Sequence, residues 1–161
     1  ITLGHRREAI SLLKSMSPAP SLRNDVTTVL ARAYLDEHQC DESLDVLETA
    51  TYSNWEGDID NWLVFVGAHV ERGRERLKNG DALLALEDFE AALTYPKHLH
   101  VGRPSQPREA KALYWKGYAL AALSRTSEAR AAWQAGAAGA PMNEEQKDYI
   151  SKCEEQLETE S

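Results

Sequence analysis

Residues 106–141 read QPREAKALYWKGYALAALSRTSEARAAWQAGAAGAP, and the spacing of small and bulky side chains in this stretch decides the fold. Gly117 lies twelve residues before Ala129. Trp133 follows Ala129 by four residues, and Pro141 follows it by twelve. Small side chains on facing helices let two backbones approach closely, and bulky neighbours pack around the contact. Because a polar turn signal separates the two halves, the stretch predicts a helical hairpin.

The same spacing recurs earlier in the chain. A small residue is followed four positions later by a bulky one in the pairs Ala9 and Leu13, Ser43 and Leu47, Ala85 and Phe89, and Ala129 and Trp133. The intervals between the small residues are 34, 42 and 44 positions, and the first is a known period of helical repeats. Glycine inside a helix costs about 1 kcal/mol relative to alanine, so Gly73 and Gly117 require a packing reason. The chain is therefore predicted to be an array of helical hairpins.

This pattern resembles the tetratricopeptide repeat family, which places small residues where two antiparallel helices cross and an aromatic residue or Leu one turn later. The resemblance implies an all-α fold, a right-handed α-solenoid of antiparallel helical hairpins with a C-terminal capping helix. It implies a single domain over residues 1–161. The expected parts are a partial repeat at 1–20, repeats at about 22–51, 58–95 and 106–140, and a capping helix at about 143–158.

Two insertions lengthen the later repeats. Residues 51–62, TYSNWEGDIDNW, predict a loop followed by a long helix from about Ile59 to Lys78. Residues 94–107, TYPKHLHVGRPSQP, contain three prolines and therefore predict an irregular loop that protrudes from the repeats. The insertions are also similar to the tetratricopeptide tails of large uncharacterised bacterial proteins whose front portions resemble carbohydrate-handling β-domains.

The composition limits the classes of function. A formal charge of −8 and a pI near 5.1 argue against a nucleic-acid partner, because phosphate binding requires a surplus of Lys and Arg on one face. No apolar stretch approaches the roughly 18 residues of a membrane span, and no signal pattern is present, so a soluble cytoplasmic protein is expected. Because the chain begins with Ile1 and inside a repeat, we expect it to be a piece of a longer polypeptide.

The chain contains no motif of catalysis or cofactor binding. There is no G-x-S-x-G turn, no H-E-x-x-H pair and no glycine-rich phosphate loop. Cys40 and Cys153 lie far apart, so both are interpreted as small fillers within helices. We therefore predict no enzyme activity, no cofactor and no metal.

Histidines are interpreted as structural or surface residues. His98 and His100 form an H-x-H pair, for which metal binding is the alternative to exposed or loop-anchoring imidazoles. Neither a third histidine nor a carboxylate lies nearby in the sequence. His5, His38 and His69 are predicted to lie at the surface or in turns. Asp58 and Asp60 are interpreted as acidic residues that open a helix.

The candidate binding site is the concave groove that the first helix of each hairpin lines in such arrays. The register predicts that the groove is lined by Arg32, Asp36, Val70, Arg74, Lys78, Lys111, Tyr114 and Tyr118. A groove rich in Arg, Lys and Tyr suits an anionic peptide or a carboxylate, although such residues are also common on solvated helices. Because these positions contain no Asn, the recognition of a C-terminal carboxylate that some members of this family perform is not expected.

The four tryptophans and the chain ends lead to further expectations. Trp55 and Trp62 are predicted to plug the gap at an insertion, with an exposed platform as the alternative, whereas Trp115 and Trp133 are predicted to lie in the core. Tyr149, Ile150, Cys153 and Leu157 share one face of the last helix, which closes the stack. The exposed end of the partial repeat suggests a homodimer through residues 5–16.

These expectations combine into a function. The chain is predicted to be a protein-interaction or scaffolding module whose partner is a protein or an acidic peptide. The alternative is an accessory C-terminal segment of a carbohydrate-active enzyme that packs on a catalytic domain.

Overall fold

The computed structural model describes residues 10–12, 24–49, 52 and 59–159. Every regular element in these ranges is helical, which confirms the predicted all-α fold. The helices are α1 (Asn24–Asp36), α2 (Cys40–Thr49), α3 (Asp60–Lys78), α4 (Ala82–Ala92), a short 3₁₀ helix (Lys97–Leu99), α5 (Ala110–Ala122), α6 (Thr126–Ala137) and α7 (Glu144–Thr159). The long helix after the first insertion is present as α3, and Asp60 lies in its first turn.

Three turns join α1 to α2, α3 to α4 and α5 to α6 with the same geometry. In each turn one residue has a positive φ, namely His38 at 58°, Gly80 at 91° and Ser124 at 60°. The next residue donates its backbone N–H to a carbonyl five residues earlier: Gln39 to Tyr34, Asp81 to Arg76, and Arg125 to Leu120. This is the Schellman arrangement that ends a helix and reverses the chain. The repeated turn makes each helix pair a hairpin.

The described residues form two compact units. The first contains 10–12, 24–49, 52, 59–68 and 95–102, and the second contains 69–94 and 103–159. Helix α3 contributes its first half to the first unit and its second half to the second unit. The single domain over 1–161 stays a prediction from the repeat pattern.

In the first unit, α1 and α2 cross closely at a pair of small residues. Ala31 and Ser43 are completely buried, and the Ser43 hydroxyl donates a hydrogen bond to the Ala31 carbonyl at 2.8 Å. Nearby, Ile10, Leu30 and Tyr34 form an apolar cluster. Ser43 can thus serve as the small residue that the repeat pattern requires, because its buried hydroxyl is hydrogen-bonded to a backbone carbonyl.

The proline-containing insertion does not protrude over its first part, and the prediction for this loop was wrong there. Leu99 and Val101 are buried in the first unit. The Asn61 side-chain amide donates a hydrogen bond to the Leu99 carbonyl at 2.9 Å. Trp62 is also buried and stacks on Tyr95 with ring centroids 4.7 Å apart. This part of the loop packs against α3 because the apolar side chains between its prolines are buried there.

In the second unit, glycines mark the close helix crossings, as their spacing predicts. A Cβ atom at Gly73 would lie 2.6 Å from the Phe89 ring, and one at Gly117 would lie 2.2 Å from Nε1 of Trp133. Gly136 is in equally close contact with Cys153, whose sulfur would lie 2.6 Å from an added Cβ. Side chains larger than hydrogen therefore do not fit at these three crossings without displacement of a buried neighbour.

Helix α7 begins with a side-chain cap and ends the described part of the chain. The Asn143 carbonyl oxygen accepts a hydrogen bond from the backbone N–H of Gln146 at 2.8 Å. Cys153 is completely buried, as a small filler should be, and Gln146 is also buried. His5, Trp55, Asp58 and most of the 5–16 segment lie outside the described residues, so the predictions for them stay predictions.

Candidate functional site

The candidate site is built on the side of α5 that carries its half-buried aromatic residues. The periodicity of the helix separates two sides. The residues that are buried on one side include Ala112, Gly117, Ala119 and Leu120. The residues that are half-buried on the other side are Lys111, Tyr114, Trp115 and Tyr118. The second side therefore combines aromatic rings with partial access to solvent.

Four aromatic side chains form one continuous cluster, which we call the aromatic face: Tyr114, Trp115 and Tyr118 of α5, with Tyr149 of α7. The Tyr114 ring centroid lies 5.3 Å from that of Trp115, 5.0 Å from that of Tyr118 and 5.5 Å from that of Tyr149. Tyr118 also contacts the buried Trp133 edge-on at 5.7 Å. This contact fixes the aromatic face to the core of the unit, because Trp133 fills the crossing of α5 and α6.

Three cations lie over the rings of the aromatic face. The Arg74 guanidinium is 4.8 Å from the centroid of the Trp115 ring. The ammonium groups of Lys111 and Lys152 are 5.8 and 4.7 Å from the centroid of the Tyr149 ring. Such cation–π contacts contribute about 0.5–1 kcal/mol each at exposed positions. The structure thus brings together four of the residues that the sequence predicted for a groove: Arg74, Lys111, Tyr114 and Tyr118.

Each of these cations also contacts a carboxylate. The pairs are Arg74 with Glu71 at 2.8 Å, Lys111 with Glu145 at 2.9 Å, and Lys152 with Asp148 at 2.5 Å. Three positive charges are therefore matched by three negative charges around the rings. The local charge is balanced, which removes the electrostatic reason to expect an acidic partner in particular.

A hydrogen bond joins the hydroxyls of two tyrosines of the aromatic face. Tyr114 donates a hydrogen bond to the hydroxyl of Tyr118 across 3.4 Å, which is a long contact. Burial, together with this hydrogen bond, raises the pKa of Tyr114 well above its usual value. Tyr114 is therefore protonated across the physiological range and is the donor of this pair.

Trp115 was predicted to lie in the core, and the structure corrects this. Trp133 is buried, but Trp115 is only half-buried and its ring lies under Arg74. The indole N–H of Trp133 donates to the Tyr114 carbonyl, whereas the shielded indole nitrogen of Trp115 has no hydrogen-bond partner among the described residues. The two tryptophans look alike in the sequence, and only their neighbours on other helices distinguish them.

The unpaired indole N–H leads to a testable expectation for Trp115→Phe. This substitution keeps an aromatic ring under Arg74 and removes a shielded donor whose unmet hydrogen bond costs about 1–3 kcal/mol. We expect the free energy of unfolding, measured in urea, to stay within about 1 kcal/mol of the wild type or to rise. A loss of 2 kcal/mol or more would show that the indole nitrogen is hydrogen-bonded in solution.

The remaining predicted groove residues are not part of the aromatic face. The prediction was wrong for Val70, whose side chain is completely buried and has no surface to offer a ligand. Lys78 is exposed in the last turn of α3. Arg32 and Asp36 are exposed on α1 in the first unit. Tyr149 was predicted to lie on the packing face of α7, and the structure shows that its ring also joins the aromatic face.

A buried ionic cluster lies inside the α3–α4 hairpin, and the sequence analysis missed it. Asp88 is 2% exposed and pairs with Arg72 at 2.7 Å, with Arg76 at 3.0 Å and with His69 at 3.1 Å. Burial alone would raise the pKa of Asp88, but the hydrogen bonds from His69 and Arg72 and the nearby positive charges hold it below its usual value. His69 is thus a partner of a buried carboxylate rather than a free surface residue.

A signal for this cluster is present in the sequence. His69, Arg72 and Arg76 fall on one side of a helix, at intervals of three and four residues. Asp88 directly precedes Phe89, which the repeat register places in the core. A carboxylate at such a position requires partners from the facing helix, and three basic residues on one side of α3 supply them.

The described residues show no cluster of side chains that could hold a metal. No group of three or more His, Cys, Asp or Glu side chains within the described ranges has the geometry of a metal site. His98 and His100 are exposed. Burial raises the pKa of the Cys153 thiol to about 12, so this cysteine is not a thiolate at neutral pH. In the same ranges, no helix has the length and apolar character needed to cross a membrane.

Comparison with known proteins agrees with the repeat pattern. Residues 70–145, a little under half of the chain, match the model of the tetratricopeptide repeat family. No curated protein and no solved structure matches the chain. The similarity to tails of carbohydrate-handling proteins therefore gains no support. The matched segment runs from the second half of α3 to the start of α7 and includes most of the aromatic face. This part of the chain is thus similar to tetratricopeptide repeats, which generally bind or scaffold other proteins.

Proposed function

We propose that this chain is a protein-interaction module and that the aromatic face is where it binds a segment of a partner protein. One observation carries the proposal: four aromatic side chains, three from one side of α5 and one from α7, form a single cluster and are only half-buried. Tyr, Trp and Arg are the residues that most often dominate binding energy at protein interfaces. Their concentration on one face is what an interface requires.

The rigidity of the aromatic face supports the same proposal. Tyr118 is fixed against Trp133, and each of the three cations is held by both a ring and a carboxylate. A surface whose side chains are already ordered loses little conformational entropy when a partner binds. Because the charges around the rings are balanced, the face does not favour the acidic partner that its Arg and Lys content suggested. We therefore expect contact with the aromatic rings, rather than charge, to select the partner.

The proposal can be tested by selecting peptides from a random display library on the immobilised full chain. We expect the selected peptides to bind the wild type and to lose about tenfold or more in affinity to Trp115→Ala and to Tyr149→Ala. The matched control is Leu83→Ala, which removes an exposed apolar side chain of α4. Circular dichroism and thermal unfolding verify that each variant is folded.

Two results would contradict the proposal. If the enriched peptides bind the folded Trp115→Ala and Tyr149→Ala variants as tightly as the wild type, the aromatic face is not the binding site. If Leu83→Ala weakens them as much as the two substitutions in the face, the loss of affinity is not specific to the aromatic residues.

A further inference from the structure

We propose that the turn between α3 and α4 is a site of spontaneous chemical modification, at which the side-chain amide of Asn79 is converted to a carboxylate. The reaction consumes only water and requires no enzyme. Asn79 is the only asparagine of the chain that is followed by glycine. The inference does not depend on the proposed function of the aromatic face.

The chemistry follows from the glycine at position 80. The backbone nitrogen of Gly80 attacks Cγ of Asn79, and the new N–Cγ bond forms as the Cγ–Nδ2 bond breaks. The attacking nitrogen gives up its proton, the amide leaves as ammonia, and a cyclic imide remains. Water then opens the imide at either carbonyl, which yields aspartate or isoaspartate. Glycine favours the attack because it has no Cβ atom to crowd the nitrogen.

The structure leaves this pair of residues accessible. Asn79 and Gly80 are both exposed, and a Cβ added at Gly80 would meet no atom within 4 Å. The Asn79 side chain has no hydrogen-bond partner among the described residues. By contrast, the buried Asn61 amide is bonded to the Leu99 carbonyl, and the Asn143 side chain caps α7. Of these three asparagines, only Asn79 combines an exposed, unbound side chain with an uncrowded neighbour.

One hydrogen bond of the turn restrains the reaction. The Gly80 N–H donates to the Leu77 carbonyl at 3.1 Å, so the nitrogen can attack only when this bond opens. Backbone hydrogen bonds at an exposed helix end open at a lower free energy than those of a buried helix. We therefore expect the rate of modification to follow the local opening of the α3–α4 turn.

The modified chain cannot restore the same turn. Isoaspartate adds a methylene group to the main chain inside the loop that the hydrogen bond from the Asp81 N–H to the Arg76 carbonyl closes at 2.9 Å. Both products also place a new negative charge at the C-terminal end of α3, where the helix dipole disfavours it. The modification should therefore weaken the turn that joins α3 to α4.

The experiment incubates the folded full chain in mildly alkaline buffer and follows each asparagine by peptide mass spectrometry. We expect the mass increase of an amide-to-carboxylate conversion at Asn79, while Asn61 and Asn143 keep their amides. Asp88→Asn, which removes a charge from the ionic cluster of the same hairpin, should speed the conversion. The matched control is Asn79→Gln, whose longer side chain would have to close a larger ring and should stay intact. After incubation, the urea midpoint should fall for the wild type and not for Asn79→Gln.

Incubation of the chain unfolded in urea completes the test. If the unfolded chain converts at Asn79 while the folded wild type keeps its amide, the turn protects the site and the inference is wrong. Conversion of Asn143 in the folded chain as fast as that of Asn79 would also overturn it, because the exposed turn would then have no special reactivity. Equal rates in the wild type and in Asp88→Asn would contradict the dependence on local opening.

Discussion

Replacement of Asp88 by asparagine is expected to lower the free energy of unfolding by about 3 kcal/mol. The substitution keeps the shape of the side chain and removes a buried negative charge that pairs with Arg72 and Arg76. Removal of one partner from a buried ion pair usually costs about 3–5 kcal/mol. The arginines are 23% and 31% exposed, so water compensates part of their charge, and the lower end of that range applies.

Urea unfolding followed by circular dichroism measures the effect of Asp88→Asn. The matched control is Glu87→Gln, which neutralises an exposed carboxylate on the same helix and should change stability by less than about 0.5 kcal/mol. Equal losses in the two variants would show that the ionic cluster does not form in solution.

The same cluster makes stability depend on pH with a defined sign. The pKa of Asp88 is lower in the folded chain than its ordinary value of about 3.8, so its contribution is complete above that value. As the pH falls through the ordinary pKa towards the folded one, the proton binds the unfolded chain first and the contribution is lost. The difference in unfolding free energy between the wild type and Asp88→Asn should therefore narrow from pH 5 to pH 2. A difference that stays constant over this interval would contradict the lowered pKa.

Replacement of Gly117 by alanine is expected to lower the free energy of unfolding by about 2 kcal/mol. Helix propensity alone predicts the opposite, a gain of about 1 kcal/mol. The added methyl would lie 2.2 Å from Nε1 of Trp133, which is buried and cannot move aside cheaply. Displacement of that ring would also break the hydrogen bond from its indole N–H to the Tyr114 carbonyl. Overpacking of this kind costs about 1–3 kcal/mol, and occasionally more, so packing outweighs propensity.

Gly102 provides the control for Gly117→Ala. It is exposed, and an added Cβ at this position would meet no atom within 4 Å. Gly102→Ala should therefore change the urea midpoint very little. If Gly117→Ala instead raises the midpoint, as helix propensity predicts, the close crossing of α5 and α6 is absent. Because Trp133 supports Tyr118, Gly117→Ala should also weaken peptides that bind the aromatic face.

Features of the fold that depend on neighbours in the sequence could be predicted well. Ala31, Gly73 and Gly117 each lie twelve residues before the small residue of the second helix, and the structure buries all three. Asn143 directly precedes the last helix, a position where Asn is typical of a cap, and its side chain caps that helix. The all-α fold follows from the same periodicity, because helix geometry and capping act over only a few residues.

Other features depend on residues that are distant in the sequence, and these were missed or misplaced. In the sequence, Leu99 belongs to a polar, proline-rich loop. Its burial depends on contacts with α3, including the hydrogen bond from Asn61 to its carbonyl. Val70 fits the groove register, but its surroundings bury it. Asp88 looks like one more acidic residue of an acidic chain, although three basic side chains surround it.

The repeated hairpin and its crossings could be predicted from the amino-acid sequence alone, since these follow from periodicity along one or two helices. The tertiary structure was needed to show that Trp115 is half-buried while Trp133 lies in the core, and that Tyr149 joins Tyr114 across two helices. The physical reason is that burial, charge compensation and ring contacts are properties of pairs of side chains, and the partner in each pair lies on another helix.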